Sequence, residues 1–223
     1  MDRANAMAQD PDEPFDVVTA AGRPTGEIKP RAAVHRDGDW HRAIHVWIAG
    51  RDDDGEPFLI FQRRGSQKDT WPDRFDATVG GHVRAGESLA ETLREVDEEI
   101  GVAVQGLTLL PLGRRVCANE ALEGIIDREI QDVFLLVDER SLTDYRPNPA
   151  ELSALVRFPL AALIAFLAGE ESSLQGESIS AGAEASELVL VGVDDFIPTV
   201  DNYSLRIAIA AANVLRGDRY VMI

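Results

Sequence analysis

A single cysteine, Cys117, stands among 223 residues, which excludes an intrachain disulfide and suits a reducing compartment. Positive charge is scarce as well. Lys and Arg number 22 against 39 Asp and Glu, for a formal net charge of −17. Without a broad basic surface to neutralise phosphates, a nucleic acid polymer is excluded as a partner. No apolar run reaches the ~20 residues that span a bilayer, so no membrane-crossing segment is expected. Residues 1–14 are acidic and lack the basic-then-apolar signal pattern. They read as a mobile tail, and the protein as cytoplasmic. No internal repeat and no second-domain signal is found, so residues 15–223 are expected to form one domain.

What is present is concentrated in residues 81–102, where a glycine loop runs into a short helix. Near the end of that helix stand Glu95, Glu98 and Glu99, spaced i, i+3, i+4 and therefore on one face. Leu89, Leu93, Val96 and Ile100 form an apolar stripe at helical spacing that faces the core. The acidic face then points to water or into a cleft. Three like charges at this spacing repel unless a cation sits among them. Mg²⁺ is commonly held by one or two carboxylates together with water and substrate phosphates. The trio is either such a metal site or a solvated acidic face, and the glutamates alone leave both readings open.

The rest of the chain reads coarsely. Strands are expected at 15–19, 43–49, 58–62, 107–117 and 129–137, with a polar hairpin connection at 51–56. Helices are expected at 159–167 and 202–216, and Gly101 as the C-cap of the acidic helix. Residues 170–187, rich in Glu, Ser, Gly and Ala, read as a flexible insertion.

The full pattern of the acidic segment is Gly81, five residues, Glu87, then Arg94-Glu95, Val96-Asp97, Glu98-Glu99, Ile100-Gly101-Val102. This resembles the Nudix box of the Nudix hydrolase superfamily. Arg94, Glu95, Glu98, Glu99 and Gly101 are in register with it, whereas six residues instead of seven separate Glu87 from Arg94. One residue fewer rotates Glu87 by about 100° along a regular helix. The resemblance implies an α/β (α+β) fold, an αβα sandwich with a mixed β-sheet, a Mg²⁺ or Mn²⁺ cofactor, and chemistry on a diphosphate linkage. Its implied catalytic residues are Glu95, Glu98 and Glu99, with Arg94 orienting them.

A second set of residues extends the likeness. His35-Arg36-Asp37-Gly38, His41-Arg42-Ala43, Gln62-Arg63-Arg64, Lys68, Trp71-Pro72, Gly81-His82 and Asp127-Arg128-Glu129 resemble the isopentenyl diphosphate isomerase branch and its isomerase-like hydrolases. The resemblance spans roughly residues 15 to 160 and implies that His35, His41, His82, Asp127 and Glu129 hold a metal. Mixed imidazole and carboxylate ligands suit Mn²⁺ or Zn²⁺ as well as Mg²⁺. The isomerases carry a catalytic cysteine just before the Gly-His pair, and Gly80 stands there. Glycine transfers no proton, whereas alkene protonation needs a placed acid. His45, by its strand alternation, reads as a satisfied structural histidine.

Arg63, Arg64, Lys68 and Arg74 make a basic stretch in an acidic chain. The stretch is either routine surface charge or, as the resemblance implies, the contact for the substrate diphosphate, Arg64 and Lys68 foremost, with Arg binding by bidentate contact and Lys as a compact charge. The expectation is a metal-dependent Nudix hydrolase that splits a P–O–P bond in a nucleotide- or prenyl-type diphosphate. The alternatives are a non-catalytic diphosphate-binding regulator and an isomerase lacking the usual cysteine. A homodimer is the prior for oligomeric state.

Overall fold

The computed structural model describes residues 10–122 and 124–223. Residues 1–9 of the expected tail lie outside it, and residues 10–14 are not loose. The carbonyls of Glu13 and Pro11 accept from Arg31 and Ala32 N–H at 2.8 and 3.0 Å. These donors begin the first helix and would otherwise lack partners.

β1 (Pro14–Val18) and β2 (Pro24–Pro30) form a hairpin, followed by α1 (Arg31–Asp37). The helix stops at Gly38, whose φ of 69° suits glycine and where a Cβ would come within 2.9 Å of Ile126. β3 (Trp40–Arg51) is longer than the expected 43–49 and buried along nearly its whole length, as a strand covered on both faces should be. β4 (Pro57–Arg64) returns beside it, and β5 (Phe75–Asp76) and β6 (Val79–His82) follow.

The acidic helix is two helices, α2 (Leu89–Thr92) and α3 (Arg94–Ile100). Ser88 and Glu91 close a capping box at the start of α2. The chain breaks at Leu93, where Val96 N–H bonds to the Leu93 carbonyl in a tight three-residue turn at 3.2 Å. Glu87 lies ahead of the Ser88 cap, and across the break Arg94 Nη1 donates to Glu87 Oε1 at 2.7 Å. Gly101 caps α3 with φ 72°.

β7 (Leu109–Leu122) and β8 (Ile125–Val137) form a long hairpin, then come β9 (Leu152–Pro159), α4 (Leu160–Leu167), β10 (Leu174–Ser180), β11 (Glu187–Val191) and α5 (Tyr203–Leu215). The stretch 170–187 is therefore not an unstructured insertion. It carries β10 and leads into β11, and β10 pairs with both β9 and β11. Gly176 allows this close packing, since a Cβ there would lie 2.5 Å from the Phe158 ring. The polar composition of 170–187 hid a two-stranded sheet extension.

Among the described residues the strands form one 11-stranded sheet, ordered β11-β10-β9-β4-β3-β1-β2, with β5, β6, β7 and β8 attached off this path. β8 lies parallel to β3, while the other named pairs are antiparallel, so the sheet is mixed. Alternation along β3 divides the core in two. Trp47 and Ala49 pack with α4 and α5 on one face, and Ile44, Val46 and Ile48 with Val96 and Ile100 of α3 on the other. Leu89 and Leu93 pack against this second cluster, as the apolar stripe requires. Helices thus cover both faces of the sheet, giving the αβα arrangement of an α+β domain. No helix among the described residues is long and apolar enough to cross a membrane.

Candidate active site

The pairing of β3 with its neighbours decides which polar groups meet. In the parallel β3–β8 pair His41 stands opposite Glu129, and in the antiparallel β3–β6 pair Ala43 stands opposite His82. α1 adds His35. All five residues of the implied metal set converge. His35 and His41 direct Nε2 at Asp127 Oδ1 from 3.7 and 3.6 Å, and His82 Nε2 lies 3.1 Å from Glu129 Oε1. Three imidazoles pack around the fully buried ring of Phe15, with centroid distances of 6.2, 5.3 and 4.8 Å for His35, His41 and His82. This phenyl ring fixes their spread, a role that its place in a short β-strand did not reveal.

The donor atoms fit a divalent cation. Ligands about 2.0–2.2 Å from one ion stand about 3.0–3.6 Å from each other. Two sets of three donors, His35/His41/His82 and His41/Asp127/Glu129, lie within 4.8 Å of one another. His35 Nε2, His41 Nε2 and Asp127 Oδ1 are buried without a hydrogen-bond partner among the described residues, which a native interior rarely tolerates. His41 Nδ1 is 3.2 Å from the Asp39 carbonyl, so it carries the proton and leaves Nε2 a lone pair. Burial, reinforced by the neighbouring imidazoles, lowers His35 to about 3 and His41 to about 4. Both are therefore neutral, as ligation requires. Burial and the charge of Glu129 raise Asp127. Burial also opposes ionisation of Glu129, but its hydrogen bond to His82 and the surrounding histidines outweigh this and hold it below the usual carboxylate range.

The helix glutamates line the same cavity of about 790 Å³. They are not gathered as tightly as the sequence spacing suggested. Glu98 is 54% exposed and lies 3.7 Å from Arg94 Nε. Glu95 lies on the backbone of β6, where a Cβ on Gly81 would come within 2.6 Å of its Cγ. Arg94 Nη2 meets Glu95 Oε1 at 2.8 Å. Arg94 thus touches Glu87, Glu95 and Glu98. Glu99 is 4% exposed, and its Oε2 has no hydrogen-bond partner among the described residues. Burial raises Glu95 to about 7, against Arg94 and with help from the charge of Glu98. Burial also raises Glu99 well above its ordinary value, against Lys68 and with Glu151 and Glu95 adding to the rise. Two buried carboxylates that resist ionisation, one with an orphaned oxygen, fit a cation as well.

The basic stretch divides between the cavity and the surface outside it. Arg64 and Lys68 line the cavity, while Arg63 and Arg74 are not on its wall. Arg63 points to the other side of β4, where it bonds the Asp73 carbonyl at 3.1 Å and lies 5.9 Å over Phe75. Arg64 and Lys68 are already paired, Arg64 with Asp76 at 2.9 Å and Lys68 with Glu151.

Sequence reasoning missed the far wall. Gln131 donates to Glu129 Oε2 and accepts from Arg115, which Asp201 holds through two bonds at 2.8 and 3.1 Å. Cys117, distant from Gly80 in sequence, stands opposite Glu129 in the β7–β8 ladder and faces the cavity. Burial, assisted by Glu129 and Asp127 against Arg115, pushes its thiol up to about 11. The alternation of β7 placed Arg115 and Cys117 on one face, a signal that was available but had no partner strand to give it meaning.

A family model for the NUDIX domain matches residues 39–180. The chain is 36% identical over 155 residues to Nudix hydrolase 3 of Arabidopsis thaliana, covering 68% of this chain and 19% of that protein. It is 31% identical over 174 residues to a Nudix hydrolase of Clostridium acetobutylicum, covering 76% of this chain and 83% of that one. An isopentenyl-diphosphate Delta-isomerase of Frankia alni is 32% identical over 150 residues, 65% of this chain and 71% of that one. A crystal structure from Deinococcus radiodurans superposes with a TM-score of 0.53 at 24% identity, over 71% of this chain and 91% of that chain, and shares the fold.

Proposed function

The chain belongs to the NUDIX domain family, a family of pyrophosphohydrolases with isomerase-named relatives, and from this we propose that it cleaves a P–O–P bond in a small-molecule diphosphate with Mg²⁺ or Mn²⁺ bound. The observation that supports the reading is the buried Glu99, whose Oε2 lacks a partner among the described residues, in the cavity that also holds the histidine–carboxylate cluster. Glu95 and Glu99 would hold metal at the helix, and His35, His41, His82, Asp127 and Glu129 would hold it on the sheet. A divalent ion there neutralises charge on the diphosphate oxygens and makes water a better nucleophile. The chain's own residues supply position. Arg94 holds Glu95 in place. Glu98, exposed at the cavity wall, is the proposed base for the attacking water. Arg64 and Lys68 are the proposed contacts for the phosphates, exchanging their carboxylate partners for substrate oxygens.

The test is a panel of nucleoside diphosphate sugars, dinucleotides, oxidised nucleotides, prenyl diphosphates and coenzyme A derivatives, assayed for released phosphate with Mg²⁺ or Mn²⁺. The expected result is metal-dependent turnover of one class that falls at least about 100-fold in Glu99→Gln while the fold survives, the scale set by losing a catalytic electrostatic group. Undiminished metal-dependent turnover in that variant refutes the assignment. One observation favours a second reading. Cys117, opposite Glu129 in the strand ladder and on the cavity wall, places there a thiol that the glycine at position 80 does not supply. Deuterium uptake into isopentenyl diphosphate in D₂O, without phosphate release, would establish isomerisation instead.

A further inference from the structure

His45 sits on β3 opposite Gly80 of β6 and is 8% exposed. Its Nδ1 is 3.0 Å from Tyr203 Oη, and Trp47 Nε1 lies 3.0 Å from the same oxygen. These contacts fix the protons. Indole N–H only donates, so Trp47 occupies one lone pair of the Tyr203 oxygen. Tyr203 is 3% exposed, and its hydroxyl has no other acceptor among the described residues. Its own proton therefore goes to His45 Nδ1, because the opposite arrangement would bury an unpaired O–H. The neutral ring then carries its proton on Nε2. Burial favours the neutral form of His45.

Tyr203 is itself held rigidly. The Arg115 guanidinium lies 4.0 Å from the centre of its ring and is clamped by Asp201. Its backbone N–H bonds to Thr199 Oγ1 at 3.1 Å. On the opposite side of His45 lies Gly80, where the missing side chain leaves a methyl-sized gap bounded by His45 and Gln62. A Cβ on Gly80 would stand 3.7 and 3.8 Å from His45 Cδ2 and Nε2, so this edge of the ring borders the space that glycine leaves empty. Both residues line the cavity, and no protein acceptor meets Nε2 among the described residues.

We infer that His45, locked as the Nε2–H tautomer by Tyr203 and Trp47, donates a hydrogen bond through the gap at Gly80 to a phosphate oxygen of the bound diphosphate. The contact rests on the diphosphate reading above. His45 touches substrate, and Tyr203 is a positioning residue that acts through it. A neutral donor adds affinity without adding to the charge already set by the metal ligands, Arg64 and Lys68.

The experiment follows the histidine ring nitrogens of the full chain by long-range ¹H–¹⁵N NMR, in Mg²⁺ with and without methylenediphosphonate, a diphosphate that water does not split. The expected result is an Nε2–H tautomer for His45 and a moved Nε2 resonance when the analogue is added. Tyr203→Phe should give a mixture of tautomers. His45→Phe should weaken the analogue about 10- to 100-fold, the range for a hydrogen bond to a charged group, and His45→Gln should recover part of it. An Nδ1–H tautomer in the wild type overturns the proposal. So does an Nε2 resonance that the analogue leaves in place, or full affinity in His45→Phe. The wild-type spectra decide even if His45→Phe does not fold. Binding without turnover would refute the hydrolase reading and spare this contact. Turnover lost in Glu99→Gln but intact in His45→Phe would refute this contact alone.

Discussion

Glu95 makes the metal-free protein sensitive to pH in a direction that can be worked out. Its carboxyl is 17% exposed, and burial, opposed by Arg94 and reinforced by Glu98, raises it from 4.5 to about 7. In the unfolded chain it releases its proton near 4.5. Between these two values the native state binds the proton and the unfolded state does not, so native stability falls as pH rises. The contribution is fully present below 4.5 and gone above 7. At about 1.4 kcal/mol per unit it amounts to about 2 to 3 kcal/mol between pH 5 and pH 8. His35 and His41 act in the opposite sense, because their folded values are depressed to about 3 and 4. They add stability as pH rises from about 4 to 6.5. A comparison of the wild type with Glu95→Gln cancels that common histidine contribution. Urea unfolding in EDTA at pH 5 and pH 8 should show the wild type losing about 2 to 3 kcal/mol more than Glu95→Gln over this interval. Saturating Mn²⁺ should remove the difference by taking the place of the proton. An equal pH dependence in the two proteins would refute the buried-carboxylate argument.

Two further outcomes test the geometry. His41→Ala removes a ligand from both three-donor sets, so Mn²⁺ affinity by calorimetry should drop at least about 10-fold, with the drop absent in Arg63→Ala, whose side chain lies off the cavity. Gly81→Ala places a methyl group 2.6 Å from Glu95 Cγ. Because the atoms met belong to the Glu95 side chain and not to backbone, the fold should survive with a lowered melting temperature, while metal-dependent turnover falls at least about 10-fold as the carboxylate is pushed off β6. Wild-type turnover in that variant would show that the contact between helix and strand has no part in catalysis.

What the sequence made legible follows the range of the interactions involved. The apolar stripe of the acidic helices, the Gly101 cap and the last two helices depend on residues within a few turns of each other, and each is found where expected. The flexible reading of 170–187 failed because β10 is stabilised by a ladder to β9 and by Phe158 under Gly176, neither of which its own composition reports. Of the four basic residues only Arg64 and Lys68 are on the cavity wall, and for Arg63 the reason is simpler. Arg63 and Arg64 are adjacent on a strand and so cannot face the same side.

The site shows the same division more sharply. The histidines and acids at 35, 41, 82, 127 and 129 are scattered along the chain, and spacing alone could not assemble them. Their convergence depends on the parallel register that sets His41 against Glu129 and on a phenyl ring at position 15. The box one residue short is instructive in the opposite sense. Along a regular helix one residue fewer turns Glu87 by about 100°, but Glu87 precedes the Ser88 cap and contacts Arg94 at 2.7 Å across the break at Leu93. The charged pair spans a helix divided into pieces of four and seven residues. Helices this short have little stability of their own. What holds them in place is the capping box, the packing of Val96 and Ile100, and the pairing of Arg94 with three glutamates. Arg94 therefore belongs to the fold of this segment, so an Arg94 substitution should lower stability as well as any turnover that depends on its carboxylates.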